Sequence, residues 1–293
     1  MSVLIVNYKS HSYVSRLIDS LPPGLSVVIV DNYSDDSERQ HIDGMACQNI
    51  RVMHSLNDGF AAGVNAGLSS IDPGQWILLV NPDVIFASGA VEVLFANAID
   101  NDLDLAVPCI LQGGSEKVWF SGGRVRGRDL SVVHDGYGKR VINSDAVTAT
   151  TFVSGCVVLF RPSARSVVLP LEESLFMYYE DVLMSFSANR QGLVSAVVNS
   201  SRAYHAAGAS SRQNDTGNSS LYYYYQSRNR ILAARSISRT MGIRAELMTP
   251  YCVLNLVLRI VRRERGSLAK MRAVGIGAWD GLRGKSGRSA RRL

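Results

Sequence analysis

Trp76-Ile77-Leu78-Leu79-Val80 runs straight into Asn81-Pro82-Asp83. The apolar run is short and rich in β-formers, which predicts a central strand buried on both faces. Proline removes a ladder donor and ends the strand. Asp83 is then left at the carboxyl end, beside the crevice where open α/β sheets bind ligands, and it could hold a divalent cation. A plain strand-to-turn junction reads the same way, since Asn-Pro opens turns. Two more apolar runs, Val3–Val6 and Val27–Val30, end in Asn7-Tyr8 and Asp31-Asn32. Asn7, Asp31 and Asp83 would therefore share one rim. Asn57-Asp58-Gly59-Phe60 opens a small-residue helix that includes Asn65. Backbone N–H groups at such a start favour anions and glycine permits close approach, although Gly59, Gly63 and Gly67 suit close helix packing equally. Tyr179-Glu180-Asp181 sets two carboxylates at another helix start, where the helix dipole stabilises them whether or not they react.

These residues need a scaffold of alternating strands and helices. Strands are expected at 3–6, 27–30, 51–54, 76–80, 105–111, 152–160 and 193–198. Helices are expected at 12–21, from 57 to about 70, at 89–99, from the 179–181 turn to about 191, and at 218–238. Residues 112–147 are rich in glycine and charge and read as loops with a hairpin. β-α alternation with short connections implies a parallel sheet covered by helices on both faces.

At 293 residues with 46% apolar content, the chain has ample material for an α/β core. Cys47, Cys109, Cys156 and Cys252 form no CxxC pair. That argues against a zinc site or disulfide framework and fits a reducing cytoplasm. Met1–Asn7 has no basic region before its apolar residues, so it does not read as a signal peptide. No apolar stretch approaches the ~20 residues of a spanning helix. Residues 251–293 carry eleven Lys/Arg against two Asp/Glu, a local net of +9 that leaves the first 250 residues at −3. Such a tail suggests an anionic surface, or is a solvated terminus.

In this order, Val6-Asn7-Tyr8, Asp31-Asn32-Tyr33-Ser34, Asn57-Asp58-Gly59-Phe60 with Asn65, Asn81-Pro82-Asp83, Phe152-Val153-Ser154-Gly155, Tyr179-Glu180-Asp181 and His205 resemble a family-2 glycosyltransferase of the GT-A fold. The resemblance covers about residues 3–235 and is closest to bacterial rhamnosyltransferase-like enzymes of cell-envelope glycan synthesis. It implies a Rossmann-like, mostly parallel sheet in a catalytic domain over 1–240, followed by a basic helical extension over 241–293.

The resemblance also implies roles. Asp31 would accept the imide N–H of a uracil or thymine ring, with Asn7 and Tyr8 flanking the nucleoside. Asn57, Gly59, Phe60, Asn65 and Asn81 would complete the donor site. Asp83 and His205 would hold Mn²⁺ or Mg²⁺, with imidazole favouring Mn²⁺, and the ion would stabilise the departing diphosphate. Asn81 stands where an Asp-x-Asp motif has its first aspartate, and Leu183 stands where a further aspartate is common. Asp181 would be the general base for the acceptor hydroxyl, with Glu180 next in line, and Ser154 and Gly155 would floor the acceptor site. On the 218–238 helix Arg228 could reach the diphosphate, or belong to a stripe packed on the sheet.

The expected function is inverting, metal-dependent transfer from a nucleoside-diphosphate sugar to a lipid-linked glycan. dTDP-rhamnose is favoured, with UDP-galactofuranose, UDP-hexoses and GDP-mannose as alternatives, and a homodimer is compatible. A nucleotidyltransferase would need a Gly-rich basic loop after the first strand, which Asn7-Tyr8-Lys9-Ser10-His11 is not. A non-catalytic nucleotide-sugar-binding homologue would need no base. Nucleic acid is an improbable partner, since only the tail supports it. Tyr251–Arg263 is apolar and then basic, which suits the interface of an anionic membrane or a terminal packed helix.

Overall fold

In the computed structural model, residues 1–32, 35–206, 218–264 and 268–291 are described. Tyr33 and Ser34 of the second motif fall outside them. The first half runs β1 (Ser2–Asn7), α1 (His11–Asp19), β2 (Ser26–Asn32), α2 (Asp36–Asp43), β3 (Ile50–Ser55), α3 (Phe60–Leu68), β4 (Ile77–Val80), β5 (Val84–Phe86), α4 (Ala90–Asp100) and β6 (Leu105–Gln112). The second runs β7 (Val118–Phe120), β8 (Gly123–Val125), β9 (Val132–His134), β10 (Val147–Ala149), β11 (Val157–Phe160), α5 (Pro162–Val168), α6 (Glu180–Arg190) and β12 (Ser195–His205). Four helices close the chain: α7 (Ser220–Ile237), α8 (Arg239–Leu247), α9 (Thr249–Arg263) and α10 (Leu268–Leu282).

The main sheet has the order β10-β12-β6-β11-β4-β1-β2-β3. Six of these eight strands run one way, and β11 and β10 oppose them. The mixed, mostly parallel architecture is that of the GT-A fold. β1, β4 and β11 are buried at every position, as the continuous apolar runs at Val3–Val6 and Ile77–Val80 require.

Three features depart from the sequence expectation. The 152–160 run is strand only from Val157, and β11 lies antiparallel between β4 and β6. β12 continues past Val198 to His205 through a register shift between Val198 and Arg202, and its polar Asn199-Ser200-Ser201 hid that continuation. α2 and α5 were not foreseen, because each buries only two residues and leaves no apolar stripe. The glycine-rich middle does contain a hairpin, β8–β9.

The C-terminal helices lie on α7. Phe176, Tyr223, Tyr224, Tyr225, Ile260, Ala273 and Val274 form a second apolar cluster there. A Cβ at Gly277 would stand 2.2 Å from the Tyr224 carbonyl oxygen, so α10 approaches α7 backbone to backbone. Gly277→Ala should therefore destabilise the protein by about 1–3 kcal/mol, the usual cost of overpacking, read as a lower urea midpoint. A wild-type midpoint would mean that α10 is not seated in this way.

Candidate active site

Asn7 and Asp31 are register partners on β1 and β2. Asn7 is fully buried, and its amide donates to Asp31 Oδ1 at 2.9 Å and to Glu38 Oε1 at 3.3 Å. Its Oδ1 accepts from the Ser10 hydroxyl at 2.9 Å. Asn7 thus holds Asp31 in place, and both side chains are buried. Tyr8 is the exposed neighbour. The second oxygen of Asp31 lies 3.5 Å from His54 Nδ1. Glu38 was not singled out from sequence. Burial opposes its charge, but hydrogen bonds from His11 and Asn7 outweigh that and keep its pKa below the ordinary value.

At α3, Gly59 has φ +113°, and a Cβ there would meet the Phe176 carbonyl oxygen at 2.2 Å. Phe60 N–H donates to that same oxygen at 2.8 Å. The first amide of this helix start is therefore taken by protein. Asn65 is also committed: its amide donates to the Leu171 carbonyl at 2.9 Å and its Oδ1 accepts from Leu171 N–H at 2.8 Å. Asn65 ties down the 171–173 segment and is not turned to a donor. Asn57 is half-buried just ahead of the helix.

Asp83 and His205 come together, with Oδ1 to Nε2 at 3.2 Å and both side chains largely buried. The β5–β12 pairing sets this contact, because Val84 registers with His205. The other ring nitrogen of His205 is buried beside the Cys156 sulfur, close to it but outside regular hydrogen-bond geometry. Burial disfavours the imidazolium, while Cys156 and Asp83 favour it, and the net direction of its pKa is up. Among the described residues no group of three His, Cys, Asp or Glu side chains could hold a metal. Two adjacent ligands on an octahedral ion with bonds of about 2.1 Å lie roughly 3 Å apart. The Asp83–His205 spacing therefore fits an ion that takes its remaining ligands from phosphate and water.

The Ser154–Cys156 turn joins this pair to the carboxylates. Cys156 O accepts from Asn81 N–H at 2.8 Å, and the Cys156 thiol adjoins His205. The Gly155 N–H donates to Asp181. Ser154 is buried and its Oγ accepts from Cys156 N–H at 3.2 Å, so it shapes the turn and offers no acceptor surface. Asp181 is half-buried. Burial pushes its pKa up, hydrogen bonds from Gly155 and Val182 restrain the rise, and it comes to about 6. Glu180 is fully buried, Oε1 has no partner, and burial pushes its pKa to about 8.

Arg228 is not on the rim. It is 1% exposed; Nη1 donates to the Gly287 carbonyl at 2.6 Å, Nη2 to Leu175 O at 2.8 Å and Nε to Asn229 Oδ1 at 2.8 Å. A 3.6-residue period gave its side of the helix but not what covers that side. A cleft of about 490 Å³ opens at Asp83, lined also by Tyr13, Arg16 and Tyr204. None of these three carried a sequence signal.

The glycosyl transferase family 2 profile matches residues 2–168, more than half of the chain. The chain belongs to this family. The following relatives are distant in sequence. An N-acetylglucosaminyl-diphospho-decaprenol L-rhamnosyltransferase of Mycobacterium tuberculosis is 24% identical over 235 residues, covering 70% of this chain and 75% of that protein. Glycosyltransferase GlyG of Streptococcus pneumoniae is 26% identical over 114 residues, 36% of this chain, and the match spans only 38% of that protein's length. A mannosyltransferase of Pyrobaculum calidifontis, solved with GDP-Man and Mn²⁺, superposes with a TM-score of 0.58 at 13% identity over 97% of this chain and 87% of its own. That likeness establishes the shared fold.

An Mn²⁺ ion held by Asp83 and His205 alone should bind weakly to the protein by itself. Titration calorimetry should show its affinity rising at least about tenfold when a nucleoside diphosphate supplies phosphate oxygens. Asp83→Ala should remove that enhancement. Equal enhancement in the variant would place the ion elsewhere.

Proposed function

We propose that the protein is an inverting glycosyltransferase that moves a sugar from a nucleoside-diphosphate sugar to a hydroxyl of a growing cell-envelope glycan. The observation that carries this reading is the Ser154–Cys156 turn, where Asp181 and the Asp83–His205 pair meet at the carboxyl ends of the strands. Asp31 accepts the imide N–H of the base and Tyr8 lies along the nucleoside. Asp83 and His205 would hold a divalent ion, which would supply Lewis-acid stabilisation to the leaving diphosphate. The acceptor oxygen attacks C1 of the sugar from the side opposite the diphosphate. The bond from C1 to the phosphate oxygen breaks, its electron pair stays with the diphosphate, and the hydroxyl proton passes to Asp181. One direct displacement inverts C1. Burial decides between the two carboxylates: Glu180, at about 8, is protonated at neutral pH, whereas Asp181, at about 6, is ionised and still basic enough to accept the proton.

dTDP-rhamnose is the first donor to test, supported by the similarity to the mycobacterial rhamnosyltransferase. UDP-galactofuranose, UDP-hexoses and GDP-mannose complete the panel. Asp181→Asn keeps the shape but cannot take the proton, so kcat should fall about 10²–10⁴-fold with donor affinity little changed. In the wild type kcat should rise with pH through about 6 and level off, because the ionised form is the active one. A variant with near-normal kcat would move the base elsewhere.

A lipid-linked acceptor would be met at a membrane surface. No helix among the described residues is long and apolar enough to cross a membrane. α9 instead has two faces. Val253, Leu256, Val257 and Ile260 pack on the second apolar cluster, while Leu254, Leu258 and Val261 are exposed. The exposed three recur at helical spacing, with Arg262 beside them in solvent. Such a face suits an interface with anionic headgroups. Co-sedimentation with liposomes should require anionic lipid and weaken with salt. It should be lost on combining Leu254→Glu with Leu258→Glu, with donor hydrolysis retained. No sedimentation of the unaltered chain at low salt would remove the membrane from the proposal.

A further inference from the structure

The segment from Ser174 to Tyr179 leads directly into Glu180 and Asp181. Three of its residues, Phe176, Tyr178 and Tyr179, have left-handed backbones with φ of 66°, 68° and 78°. None is glycine, so each is held in a conformation that side chains disfavour. Such a stretch persists only where its surroundings over-determine it.

Here they do. All six carbonyls from Ser174 to Tyr179 are taken. Ser174 O accepts from Gly287 N–H at 2.6 Å, Phe176 O from Phe60 N–H at 2.8 Å and Tyr179 O from Leu183 N–H at 3.0 Å. The Asn229 amide reaches the rest: it donates to Met177 O at 2.7 Å, to Tyr178 O at 3.1 Å and to Leu175 O at 2.9 Å, the last of which also accepts from Met177 N–H at 2.8 Å. Its two protons are thus shared among three acceptors. Asn229 is fully buried and is itself oriented by Arg228, whose Nε donates to Asn229 Oδ1 while Nη1 and Nη2 reach Gly287 O and Leu175 O. The last residues of the chain join in, with Ser289 N–H donating to Tyr225 Oη at 2.9 Å.

We propose that Asn229 is a positioning residue for the reaction: braced by Arg228, it holds the carbonyls of the Leu175–Tyr178 segment and so fixes the start of α6 and the placement of Asp181. The proposal rests on the reading of Asp181 as the general base. Asn229 touches neither donor nor acceptor, and its effect passes through the backbone. The same segment meets α3 at Phe60 and Gly59, so the clamp also sets the base-bearing helix against the donor side of the crevice.

The test is a double-mutant cycle on the full chain with the donor identified from the panel. Asn229→Ala should lower kcat about 10–100-fold, since a misplacement of about 1 Å costs on the order of 100-fold, and leave KM for the donor within about twofold. Combined with Asp181→Asn it should add almost nothing to the loss from Asp181→Asn alone, because both act on one step. Arg228→Lys keeps the charge but loses the planar fork that serves Asn229 Oδ1, Gly287 O and Leu175 O from three separate nitrogens. It should give the same split in milder form, and it serves if Asn229→Ala does not fold. Losses that multiply in the double variant, or a rise in KM with kcat unchanged, would overturn the clamp. A near-normal kcat for Asn229→Ala or Arg228→Lys beside an inactive Asp181→Asn would overturn it while keeping the base. A near-normal kcat for Asp181→Asn would overturn the base reading, and the clamp with it.

Discussion

The hydrogen bond from Asn81 N–H to Cys156 O is the constraint on which the site depends. It ties the end of β4 to the turn ahead of β11, and the antiparallel pairing of those strands continues it through four register pairs. The turn is consequently not free to choose its place. Gly155 must lie against Asp181, and the Cys156 thiol must lie against His205. From the other side, the β5–β12 pairing brings His205 onto Asp83. Asp83 and His205 therefore have positions set by backbone ladders of the sheet, whereas Asp181 is placed by the Gly155 turn and by the braced segment ahead of α6.

Burial does the second part of the work. Asp181 and Glu180 are neighbours in sequence, yet their surroundings differ. Asp181 keeps two backbone N–H donors and part of its exposure, whereas Glu180 Oε1 has no partner at all. Desolvation raises the pKa of both carboxyls; the Gly155 and Val182 N–H groups limit the rise at Asp181, whereas Glu180 has only its own backbone N–H as such a donor. Adjacent residues of the same chemistry thereby acquire different protonation at neutral pH.

Much of this was legible in the sequence because strand ends are easy to read. A run of buried apolar residues stopped by Asn7, Asp31 or Pro82 identifies both the strand and its rim, and the structure has all three there. Side-chain commitments were not legible. Asn7, Asn65 and Arg228 look from their types like ligand-binding groups, but each is spent on protein partners far away in the chain, and sequence spacing does not register such partners. Glu38 went unseen because α2 has no apolar stripe, and the reach of β12 went unseen because polar residues interrupt it. The opposed direction of β11 leaves no trace in composition, since a strand buried on both faces reads alike in either direction. The basic charge of the tail was visible, but the glycines that let α10 touch α7 resembled ordinary linker residues.

The central place of β11 has a consequence for how the molecule comes into being. Strands β1 to β4 can pair as they emerge from the ribosome, since each lies beside one already made. β6 cannot join them, because its seat beside β4 is separated by a strand made some fifty residues later. Long-range pairing of this kind is slow, since chain closure precedes any contact that rewards it. The nascent chain therefore carries an open sheet edge at β4 until residue 160 is synthesised, and an exposed edge of that kind recruits other strands. An edge open to misassembly during synthesis thus later becomes a buried seam of the sheet.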